Sequence, residues 1–102
     1  MHLIEIFLPL ADNDGNRFFQ SDFNIVEHEL TEQFGGVTVY PRATASGVWK
    51  TDDTGKKEDE LIIYEVMAKE LDDEWWANYR KKLEKQFRQI ELVVRVHAIR
   101  RL

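Results

Sequence analysis

Four titratable residues sit at alternating positions within apolar runs: Glu5 in LIEIFL, Glu65 in LIIYEVM, and Arg95 and His97 in LVVRVHAI. A β-strand sends successive side chains to opposite faces, so these four share one side of any sheet the runs build together. Two carboxylates, an imidazole and a guanidinium among apolar neighbours are ingredients of acid–base chemistry, because burial moves pKa values toward working pH. The same residues also make a cross-strand ion pair that fixes register, with Arg95 between the two glutamates and His97 hydrogen-bonded nearby. Their spacing is specific to no known reaction, so both readings stand.

Other chemistries have less support. The chain has 102 residues and no cysteine, which excludes a thiol nucleophile, a disulfide framework and a cysteine zinc site. ADNDGN (residues 11–16) has acidic spacing like a calcium loop, but its glycine comes too early and no glutamate closes it, so it reads as a turn. His2, His28 and His97 are scattered, and His28 with Glu32 reads as a solvated helix edge. Gly35 and Gly36 fit neither phosphate-loop nor dinucleotide spacing. No metal and no cofactor is expected.

The elements that must position the four residues follow from periodicity. Leu3 to Leu8 reads as a strand apolar on both faces, hence central in a sheet. Ser21 or Asp22 caps a helix with Phe23, Val26, Leu30 and Phe34 on one face, and Gly35 ends it. GGVTVYPRATASGVWK (residues 35–50) is a second strand, TDDTGKK (51–57) a hairpin turn, and LIIYEVM (61–67) the returning strand. Asp72 or Asp73 opens a second helix with a stripe of Trp76, Tyr79, Leu83 and Phe87, and Ile90 to Ile99 alternates as a last strand. Two β-α-β units joined by a hairpin predict an α+β ferredoxin-like plait, βαββαβ, spanning residues 1–102 as a single domain. Its first and third strands are central, and both helices cover one face of its four-stranded antiparallel sheet.

HELTEQFGGVTVY, SGVWK, EDELIIYEVM and WWANYRKKLEKQFRQIEL together resemble a family of small uncharacterised bacterial ferredoxin-like domains of the dimeric α/β-barrel type. The resemblance covers most of the chain, and its most specific parts are the Phe-Gly-Gly entry, Gly47 with Trp49, and the Phe-x-Gln at Phe87. It implies the plait and names no activity. Some members look like secreted lipoproteins, whereas this N-terminus reads as a strand without a basic leader. The expectation here is therefore a cytoplasmic protein with no membrane span.

In the plait, one sheet face stays clear of the helices. It receives Leu3, Glu5, Phe7, Thr38, Tyr40, Leu61, Ile63, Glu65, Met67, Val93, Arg95, His97 and Ile99, of which eight of thirteen are apolar or aromatic. A solvated face is normally mostly polar, so this one calls for a cover, and the simplest is a second copy of the chain across a two-fold axis. The expected protein is a non-catalytic homodimer with a small molecule or protein partner held at the open face. The alternative is a small cofactor-independent enzyme, an isomerase or monooxygenase-like catalyst, using His97, Glu65 and Arg95 with Tyr40. Pro41 marks the second strand as an edge, Gly47 suggests a bulge, and Tyr40, Arg42 and Trp49 are expected to rim the open face beside Phe7 and Glu5.

Net charge is −5, with an acidic first third and a basic last third. Overall acidity disfavours a phosphate backbone, and the central strands lack the aromatic pattern of an RNA-binding plait, so no nucleic-acid partner is expected. Packing of the acidic first helix beside the basic second one accounts for the asymmetry.

Overall fold

The computed structural model describes residues 1–48 and 56–102, with side chains described outside 43–59. Among the described residues the chain runs β1 (His2–Pro9), α1 (Gln20–Phe34), β2 (Thr38–Val48), β3 (Lys56–Ala68), α2 (Asp73–Gln86) and β4 (Val94–Ala98). The strands form one antiparallel sheet in the order β2-β3-β1-β4, which is the expected ferredoxin-like plait with β1 and β3 central. The hairpin-turn residues 51–55 and Trp49 lie outside the described residues.

The core occupies the space between the sheet and the helices. Ile4, Ile6 and Leu8 alternate into it from β1, and Ile62, Tyr64 and Val66 from β3, all buried. Phe23, Val26 and Leu30 meet them from α1, and Trp76, Tyr79 and Leu83 from α2, followed by Phe87 and Leu92. Aromatic rings cross-link the layer: Phe34 stacks on Trp76 with centroids 5.2 Å apart, and Phe18 meets Phe87 edge-on at 5.0 Å. Such pairs add about 0.5–1.5 kcal/mol each beyond their buried area. Val37, Val39 and Val94 pack at the margin, whereas Val96 on β4 is 43% exposed and lies outside the core cluster.

The helix ends show what local sequence does. Asp72 caps α2, its carboxylate accepting the Trp75 N–H at 3.0 Å. At α1 the helix begins earlier than Ser21 or Asp22. Phe19 is the cap residue, and the Asp22 carboxylate accepts the Phe19 N–H at 2.9 Å from within the first turn. Gly35 closes α1 at φ 82°, a conformation that costs a side-chain-bearing residue steric strain. The last strand is shorter than the alternation from Ile90 predicts. Arg88 takes φ 49°, its guanidinium reaches Asp12 at 3.1 Å, and regular pairing starts only at Val94.

Charge is distributed as anticipated from the sequence. Glu29 on α1 receives both the Lys82 ammonium and the Tyr79 hydroxyl of α2. Burial pushes the Tyr79 phenol above its ordinary pKa, and the neighbouring Glu29 carboxylate adds to the shift. Tyr64 is raised in the same direction by burial first and by Glu27 second.

Candidate functional site

β1 and β3 pair with Ile4 opposite Val66 and Ile6 opposite Tyr64, a register that sets Glu5 directly across from Glu65. On the other flank of β1, Glu5 faces Arg95, and Leu3 faces His97. β2 adds Thr38 beside Glu65 and Tyr40 beside Ile63. One transverse row therefore reads Thr38, Glu65, Glu5, Arg95, with apolar rows on both sides of it. The order differs from the expected one: Glu5, not Arg95, lies in the middle, because β1 runs between β3 and β4 and β4 is an edge.

Glu5 is the best-partnered member. His97 Nε2 lies 2.6 Å from Glu5 Oε1, and since a carboxylate only accepts, Nε2 carries the donated proton. Arg95 Nε is 3.8 Å from the same oxygen, while its guanidinium carbon lies 4.4 Å from the centroid of the Phe7 ring. That cation–π contact holds the long side chain flat against the sheet. The Glu5 side chain retains only 16% of its exposure, against 51% for His97, so the carboxylate is the inner group and the imidazole the outer one.

Glu65 is held differently. Its Oε2 accepts the Tyr40 hydroxyl at 3.4 Å, and its nearest charged neighbour in the row is the like-charged Glu5. Like charges directly opposite in an antiparallel pair are destabilising, by about 0.2–1 kcal/mol. The row thus has one compensated and one weakly compensated carboxylate. Chemically, the two carboxylates can hold a cation, the His97–Glu5 pair can pass a proton, and the Tyr40 hydroxyl can donate to a ligand oxygen. The bordering rows supply Leu3 and Met67 on one side and Phe7, Ile63 and Val93 on the other. Tyr40, Met67 and Val93 are about half exposed.

Arg42 does not join this face. The β2–β3 register slips between Tyr40 and Ala43, so that Pro41 and Arg42 together oppose Ile62. The irregularity thus falls at Pro41–Arg42, whereas Gly47 sits in regular pairing with Lys57. Ile62 points to the helices, and the bulge turns Arg42 with it, where its Nη2 meets Glu60 Oε2 at 2.8 Å. Sequence parity alone places Arg42 with Tyr40, and no local signal other than the proline marks the extra residue. Of the residues expected at the open face, Glu5, Phe7, Tyr40, Glu65, Arg95 and His97 come together there.

No family model matches the chain, and no curated protein does. Among solved structures, it is similar to a phage SAM lyase in complex with S-methyl-5′-thioadenosine, with a TM-score of 0.60 and 15% identity over 94% of this chain and 79% of that one. The apo state of a phage SAM lyase aligns with a TM-score of 0.58, also at 15% identity. At this identity the likeness supports the small α+β fold. Among the described residues, no helix is long and apolar enough to cross a membrane.

Proposed function

We propose that the open sheet face binds a small molecule and is completed by a second copy of the chain, in the manner of dimeric α/β-barrel assemblies. The observation that carries this reading is the Glu5–Glu65 pair. A sheet under selection for stability alone would not set two carboxylates directly opposite each other on its central strands, whereas a ligand carrying positive charge turns that cost into affinity. The half-exposed apolar residues around the pair fit the same role, since a monomer gains nothing by presenting them to water.

A second reading treats the face as catalytic, with His97–Glu5 moving a proton and Tyr40 and Glu65 orienting the substrate. The fold likeness to a phage SAM lyase, a structure that holds S-methyl-5′-thioadenosine, is the reason for keeping it. Sulfonium nucleosides are therefore the first ligands to try under either reading.

Light scattering at micromolar concentration tests the assembly, with a dimer expected and a monomer overturning the covered face. Calorimetric titration with S-adenosylmethionine and with S-methyl-5′-thioadenosine tests the ligand. Glu65→Gln is expected to weaken the cationic compound about tenfold and the neutral one little. Equal loss for both would remove the charge argument. Chromatographic detection of S-methyl-5′-thioadenosine after incubation with S-adenosylmethionine separates catalysis from binding.

A further inference from the structure

On the opposite side of the sheet from the carboxylate row, at the end where α1 begins, lies a cavity of about 370 Å³. Leu10, Phe18, Phe23 and Ile62 contribute to its lining, but Phe23 and Ile62 are buried in the core and most of the accessible wall is polar. Two guanidinium groups also line it, Arg17 from the β1–α1 connection and Arg42 from the bulge. Both are held by the same carboxylate, Glu60, at 3.6 Å and 2.8 Å respectively. Glu60 itself is not part of the cavity wall. These three groups carry one positive charge in excess, and both arginines contribute to the lining of the hollow.

A simple ion pair does not need this arrangement. Arg42 donates to Glu60 through both Nε and Nη2, while Arg17 stands off at a distance too long for a hydrogen bond. The bulge is what brings Arg42 here, since regular pairing would have sent it to the open face. Guanidinium forks match carboxylate and phosphate oxygens in geometry and hold their charge at all working pH values. The volume falls within the lower range of small-ligand pockets, while the accessible wall is more polar than is usual for them, as suits a charged ligand.

We propose that this end pocket binds a small organic anion, its acidic group taken by Arg17 and Arg42 and any small apolar part lying against Phe18, with Glu60 as the resident counter-ion that the ligand displaces. Glu60 keeps the two arginines poised while the pocket is empty, and its carboxyl is held below the usual range chiefly by the Arg42 hydrogen bond. The site is independent of the open face and would survive failure of the reading given for that face.

The test uses phenylacetate and phenyl phosphate as probes, followed by calorimetry and by chemical-shift changes. Wild type is expected to bind one or both at millimolar concentration. Glu60→Gln frees the arginines without removing bulk and should tighten binding about tenfold, whereas Arg42→Ala should weaken it at least about tenfold, the loss of a charge-assisted hydrogen bond. Arg17→Ala/Arg42→Ala should abolish it, with circular dichroism confirming that this surface variant stays folded. Binding unchanged in the double variant, or no binding of either probe by both wild type and Glu60→Gln, overturns the proposal.

Discussion

The two faces of the sheet use the same strands to opposite ends. On the helical side every second residue of β1 is buried, and no buried polar or charged side chain interrupts the core among the described residues. On the open side the same strands carry Glu5, Glu65 and their partners in a row between apolar ones. The first face is filled and satisfied. The second has a like-charge pair at its centre and half-exposed hydrophobics at its borders.

Truncation should expose this difference most strongly. Leu30→Ala, from a fully buried position, is expected to cost about 3 kcal/mol in urea unfolding, independent of protein concentration. Phe7→Ala on the open side should cost only about 1–2 kcal/mol in dilute protein, in keeping with its partial burial. If a second copy covers that face, the Phe7 cost grows as protein concentration is raised, because association stabilises only the covered form. A concentration-independent Phe7 effect would make the open face a true surface.

The next effect in size is the response of the filled face to alkali. Tyr64 and Tyr79 have phenols raised above their ordinary value by burial, so the folded state favours the neutral form. Their contribution is complete below the unfolded value of about 10 and is lost as pH rises beyond it. Stability measured above that pH should fall less steeply in Tyr64→Phe than in wild type. An identical slope would show that the phenol is not protected.

The smallest effect belongs to the carboxylate row. Glu65→Gln keeps an acceptor for the Tyr40 hydroxyl but removes the repulsion with Glu5, so it should stabilise the fold by about 0.5 kcal/mol. Loss of stability on this substitution would mean that the second carboxylate is compensated and the row is merely structural.

The core was legible because it rests on periodicity. Ile4, Ile6 and Leu8 at period two, and Trp76, Tyr79 and Leu83 at helical spacing, leave one consistent way to pack two helices on a sheet. The membership of the open face followed from the same alternation except at Arg42, which the bulge turns to the opposite side. The internal order of that face was misjudged, although a central β1 flanked by β3 and β4 already sets Glu5 between Glu65 and Arg95; alternation leaves open only which neighbour the Arg95 guanidinium takes. Phe7 supplies that neighbour, its ring centroid 4.4 Å from the guanidinium carbon. The α1 cap was misplaced for a related reason: Asp22 is a good cap by type, yet it serves equally well three residues into the helix. The end pocket escaped sequence reasoning altogether, since Arg17, Arg42 and Glu60 are far apart in the chain and meet only through the bulge.

That bulge is also a reserve of chain length. Elsewhere in β2, removal of a single residue would invert every side chain between the deletion and the strand end, exchanging inward for outward positions. At Pro41–Arg42 two residues do the work of one, so loss of either leaves Tyr40 opposite Ile63 and Ala43 opposite Leu61. In evolutionary terms, this is the position in the edge strand where relatives can differ in length while keeping their register. A relative one residue shorter here would keep the carboxylate face intact and could lose the arginine that lines the end pocket, so the two surfaces are free to be inherited separately.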